Sequence, residues 1–124
     1  MAQIVLGIDY GTTRIGLAIA KGPLAEPLTI INNDDQTLIN LAEILEHEQV
    51  NQIVVGLSEN QMAAKTKAFV ETLKTITSVP IEFIDETLSS YEMHRKLIEV
   101  KRSVKQGPID HFVAAQLLQE WLDF

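Results

Sequence analysis

The chain has 124 residues, 46% of them hydrophobic and 22% charged, which is the composition of an ordinary folded domain with one core and no need of covalent staples. It contains no Cys, which excludes disulfides, zinc fingers and thiol nucleophiles; no apolar run is long enough to span a membrane, and no secretory signal is visible, so a cytoplasmic setting is expected. A net charge of −7 argues against binding nucleic acid by bulk electrostatics, although Arg95, Lys96, Lys101, Arg102 and Lys105 crowd one short stretch that reads equally as a solvated helix face or a phosphate-contacting patch.

Gln3 to Asp9 carries Ile4, Val5, Leu6 and Ile8 in near-continuous succession, which predicts a central strand covered on both faces. After Tyr10-Gly11-Thr12-Thr13, the stretch Arg14 to Ala20 alternates Ile15, Leu17 and Ile19 with Gly16, Ala18 and Ala20, predicting a second strand with its small residues on one face. Ala25 to Ile31 forms a third strand, and Pro27, with no N–H to donate, sends it to the sheet edge. Asn33 and Gln36 have the spacing of a capping box, and Leu38, Leu41, Ala42 and Leu45 continue at helical intervals to about Glu48. Gln52 to Leu57 is a short buried strand. Met62, Thr66, Phe69, Val70, Leu73 and Ile76 mark a second helix, and Pro80 to Ile84 a fifth strand. Ser89 with Glu92 opens a helix to about Val100; Gly107-Pro108 breaks the chain before a last helix from Ile109 to about Leu122.

Strand–helix–strand crossovers make strands one, four and five parallel, so their carboxyl ends share one edge, where ligands of open α/β sheets gather. Acids stand at each of these ends: Asp9, then Glu59 beyond strand four, then Asp85 and Glu86. Each alone reads readily as a solvated strand end. Asp110 begins the last helix, where the dipole favours an acid in any case, yet it shares the helical stripe of Ala114, Leu117, Leu118 and Trp121 that should pack on the sheet. Carboxylates that converge without Cys or His neighbours suit hard cations, Mg2+ or Mn2+, and paired ions of that kind can activate water for attack on phosphorus. His47 and His111 are isolated from such a group, and Tyr10 and Trp121 read as packing residues.

Gly7-Ile8-Asp9-Tyr10-Gly11-Thr12-Thr13-Arg14-Ile15-Gly16-Leu17-Ala18, Val54-Val55-Gly56-Leu57, Asp85-Glu86-Thr87-Leu88-Ser89-Ser90 and Ile109-Asp110-His111-Phe112-Val113-Ala114-Ala115 resemble the successive signatures of the YqgF/RuvX family over nearly the whole chain. The resemblance implies an α/β, ribonuclease H-like domain over residues 1–124: a five-stranded mixed sheet with an antiparallel meander, parallel strands one, four and five, and helices on both faces. It implies a metal-dependent nuclease acting on the 5′ end of pre-16S rRNA, with a Holliday-junction resolvase-like DNase or an inactive nucleic-acid-binding module as alternatives. The family acids correspond to Asp9, Asp85 and Asp110, holding Mg2+ or Mn2+, with Glu86 and Glu59 as further contributors. Thr12, Arg14, Ser89, Arg95, Lys96, Lys101 and Arg102 are the candidates for holding substrate backbone. The expected partner is nucleic acid, either structured or precursor rRNA or branched DNA, bound by a monomer or homodimer away from membranes. Thr87 stands where the family usually has Arg, and Ser58-Glu59-Asn60-Gln61 replaces a loop with Pro and Gly. The first turn also resembles the phosphate-binding loop of the actin and sugar-kinase ATPases, whose two lobes need more chain than this.

Overall fold

A strand that is apolar on both faces belongs in the middle of a sheet, and β1 (Val5–Tyr10) stands there in the computed structural model, which describes residues 3–57, 62–85 and 108–123. β2 (Arg14–Ala20) and β3 (Ala25–Asn32) complete an antiparallel meander on one side of it; β4 (Gln52–Leu57) and β5 (Ile81–Asp85) run parallel to it on the other, in the order β3-β2-β1-β4-β5. Pro27 lies on the outermost strand as expected, next to a register shift at Leu17/Ala18.

The helices α1 (Thr37–His47) and α2 (Met62–Leu73) cover one face of the sheet, and α3 (Asp110–Leu122) covers the other. Leu6, Ile8, Ile15, Leu17, Ile53 and Val55 meet Leu41, Phe69 and Leu73 beneath α1 and α2. Each such fully buried branched side chain contributes about 2 kcal/mol of transfer free energy. On the opposite face Val5, Ala18, Ala20, Val54 and Ile84 meet Val113, Ala114, Leu117 and Leu118. Here the sheet offers little bulk, and α3 sits close: a Cβ at Gly7 would lie 2.9 Å from that of Leu118. The carboxyl-terminal half of α3 is tied to both sides of the sheet. The Ala25 N–H donates to Gln119 Oε1 at 2.8 Å, Gln119 Nε2 donates to the Pro23 carbonyl at 3.0 Å, and Trp121 Nε1 donates to Glu82 Oε2 at 3.0 Å.

Two local expectations are corrected. No capping box forms at α1: Gln36 is the N-cap and makes no side-chain cap bond. The Asp34 N–H donates instead to Thr37 Oγ1 at 2.9 Å, and the Gln36 N–H to Asp34 Oδ1 at 2.9 Å, so Asp34 and Thr37 organise the entry, and Asn33 takes part only through a long bond, its Oδ1 accepting from Thr37 Oγ1 at 3.4 Å. α2 stops at Leu73, before Ile76, which is 38% exposed in the following turn. There Thr75 Oγ1 donates to the Thr72 carbonyl at 2.6 Å, taking up one of the acceptors left over at the helix end. The helix expected from Ser89 to Val100 lies outside the described residues.

Candidate functional site

Alternation along β1 sends Leu6, Ile8 and Tyr10 to the α1/α2 face and Val5, Gly7 and Asp9 to the α3 face. Asp9 therefore emerges near the carboxyl end of the central strand on the same side as the last helix. The register sets it opposite Gly16. That glycine is what admits α3, because a Cβ built on it would collide with the backbone carbonyl of Asp110. Asp9 and Asp110 are thus neighbours across Gly16, brought together from the two ends of the fold.

Asp110 is only 8% exposed, in the first turn of α3, the end of a helix that the dipole makes hospitable to an acid. Arg14, two residues nearer the turn than Gly16 and on the same face of β2, donates from Nε to Asp110 Oδ2 at 3.0 Å. The Asp110 side chain is 12% exposed and that of Arg14 46%, so the pair is dry on one side and wet on the other. A charge-assisted hydrogen bond screened to that extent contributes on the order of 1 kcal/mol.

The turn between β1 and β2 is fixed from outside. Asn33 Nδ2 donates to the Gly11 carbonyl at 2.8 Å, and the Asn33 N–H donates to the Thr13 carbonyl at 2.9 Å. A Cβ at Gly11 would collide with the Arg14 carbonyl, so the chain can close this tightly only with glycine there. Thr12 is exposed on the turn, and the Tyr10 ring stacks on Phe69 with centroids 4.6 Å apart, anchoring the turn from the other face. The anchoring role of Asn33 was hidden in the sequence by its plausible spacing to Gln36; the only cue was its place just past the strand that pairs with β2.

The other expected acids fare differently. Asp85 ends β5 in register with Leu57, while Ile84, one residue back, packs with Val54 beneath α3; Asp85 therefore shares the α1/α2 face and is exposed. β1, β4 and β5 do end at one edge, but the carboxylates of Asp9 and Asp85 leave it on opposite faces. Among the described residues no three His, Cys, Asp or Glu side chains gather as a metal-holding group. Glu59, Glu86, Ser89, Arg95, Lys96, Lys101 and Arg102 lie outside the described residues. His47 is 84% exposed beside Glu48, and the His111 ring rests against Phe112 with ring centroids 4.2 Å apart. Two carboxylates form a hard, oxygen-only donor set, which fits Mg2+, an ion commonly held by one or two protein carboxylates with water and substrate phosphate in the remaining positions.

The profile of the family described as "RuvX: Holliday junction resolvase" matches residues 3–124. The chain belongs to the RuvX family. Among its relatives in that family it is 38% identical to a protein of Anaeromyxobacter sp. (strain Fw109-5) named "Putative pre-16S rRNA nuclease", over 95% of both chains. It is 34% identical to a protein of the same name from Sulfurihydrogenibium sp. (strain YO3AOP1), over 96% of this chain and 89% of that one. In three dimensions it is similar to Thermus thermophilus RuvC in complex with Holliday junction substrate, at a TM-score of 0.63 and 16% identity over 97% of this chain and 93% of that one. The fowlpox virus Holliday junction resolvase superposes at a TM-score of 0.58 and 12% identity, over 98% and 99% of the two chains. At these identities the likeness is one of fold, the ribonuclease H-like sheet. No helix among the described residues is long and apolar enough to cross a membrane.

Proposed function

We propose that this RuvX-family chain is a metal-dependent phosphodiesterase that trims precursor rRNA at the 5′ side of 16S rRNA. The observation that carries the reading is the meeting of Asp9 and Asp110 on one face at the carboxyl end of the central strand, with an arginine beside them. The names of its relatives favour RNA as the substrate. Asp9 and Asp110 would hold Mg2+ or Mn2+, which when bound lowers the pKa of a coordinated water and neutralises charge on phosphate. Asp9 presents its carboxylate from the central strand of the sheet and Asp110 from a helix start pressed onto Gly16, which favours a preorganised pair. Arg14, beside Asp110, and Thr12, exposed on the adjoining turn, would contact the nucleic-acid backbone. Asp85, on the other face, takes a smaller part.

The test is cleavage of a 5′-extended 16S precursor RNA, run beside single-stranded RNA and a four-way DNA junction. Asp9→Asn should lower cleavage of the precursor about 100-fold or more while the circular dichroism spectrum stays unchanged. Asp85→Asn should lower it less than tenfold, since it leaves both acids of the α3 face in place. Full activity of Asp9→Asn would refute the reading, and preferential cutting of the junction would replace RNA by branched DNA as the substrate.

A further inference from the structure

We infer that Arg14 is a displaceable internal counter-ion: its guanidinium holds the Asp110 carboxylate until a divalent cation takes that place, and the freed guanidinium then becomes available to substrate phosphate. The inference rests on the reading of Asp9 and Asp110 as the cation-holding pair. Its ground is the asymmetry of one contact. Asp110 is almost buried with its backbone held over Gly16, so its carboxylate has little room to move, whereas Arg14 is nearly half exposed at the start of β2 and has solvent to turn into. Arg14 engages Asp110 through Nε alone at 3.0 Å, so the two terminal nitrogens are not committed to this bond, and a planar guanidinium of that kind pairs well with phosphate oxygens.

A carboxylate with so little open surface has few approaches, and the Arg14 side chain holds one of them. The cation and Arg14 are competitors for Asp110 for electrostatic reasons as well, since a fixed positive charge a few ångströms away opposes the arrival of a doubly charged ion. Phosphate reverses the sign: a nucleic-acid backbone that accepts Arg14 withdraws the competitor, so cation and substrate should each strengthen the binding of the other, as linkage requires. The arginine would thereby bias the site toward loading the ion when substrate is present.

The test measures Mn2+ binding directly, by electron paramagnetic resonance of the free ion, with the full chain and no substrate. Arg14→Gln should bind Mn2+ about three- to tenfold more tightly than the unaltered chain. Arg14→Lys should fall between them, Asp110→Asn should bind far more weakly than either, and Lys21→Gln, which removes a cation paired with Glu48 instead, should leave the affinity unchanged. A phosphorothioate RNA that resists cleavage should tighten Mn2+ binding to the unaltered chain and do so less for Arg14→Gln. Equal or weaker Mn2+ binding by Arg14→Gln, alongside ordinary binding by the unaltered chain and loss in Asp110→Asn, would overturn the counter-ion role and leave the cation site standing. Absence of Mn2+ binding to every one of these proteins would overturn the cation site and the counter-ion role together.

Discussion

Toward α1 and α2 the sheet presents Leu6, Ile8, Ile15 and Leu17; toward α3 it presents Gly7, Gly16, Ala18 and Ala20. Large branched side chains hold their helices at arm's length and supply most of the burial, while small ones let a helix backbone come down onto the strands. The first face is where stability is concentrated. The second is where a residue from the far end of the chain can be set beside the end of β1 with little slack, which is what a pair of converging carboxylates requires. A change on the thick face should therefore cost folding free energy without altering chemistry, and a change on the thin face should alter chemistry out of proportion to its cost in folding.

Leu17→Ala, on the thick face and fully buried, should lower the unfolding free energy by about 3 kcal/mol in urea titration, with cleavage per folded molecule unchanged. A loss below 1 kcal/mol would mean that this face is not the stability reserve described. Gly16→Ala places a Cβ against the Asp110 backbone and should destabilise by about 2 kcal/mol. Because it moves the first turn of α3 relative to Asp9, cleavage should fall about 100-fold. If activity per folded molecule stayed at the level of Leu17→Ala, the division between the faces would collapse. Trp121→Phe removes the bond to Glu82 and trims a ring partly buried against the core beneath α3; it should cost about 1 to 2 kcal/mol, with a change in cleavage less than twofold; a larger loss of activity would show that the far end of α3 also positions Asp110.

The strands and their order were legible because the strongest local signals coincide with the strongest structural demands. Unbroken apolar residues in β1 required a central position, Pro27 required an edge, and the alternation of small with branched residues in β2 announced two unlike faces. Asp9 and Asp110 could be picked out from a strand end and a helical stripe. The Arg14–Asp110 bond could not, since it joins residues 96 positions apart and depends on where α3 lands over β2, a distance set by Gly16 rather than by any pattern around Asp110. The face of Asp85 was hidden for another reason. Ile81, Phe83 and Ile84 supply no clean alternation, so the parity of β5 follows from its pairing with β4 and not from its own residues. Asn33 shows how a correct residue type can suggest the wrong bond: its spacing to Gln36 pointed to a cap, whereas its short bond is the one from Nδ2 to the Gly11 carbonyl, and at the helix start its Oδ1 accepts only a long one from Thr37.

Pro27 bears on how the chain behaves in company. An approaching strand seeking to extend the sheet past β3 would find no amide hydrogen at that position, and the register shift at Leu17/Ala18 disturbs the regular ladder behind it. The outer rim on this side is thereby a poor template for edge-to-edge aggregation, a safeguard that matters for a sheet with so apolar a middle.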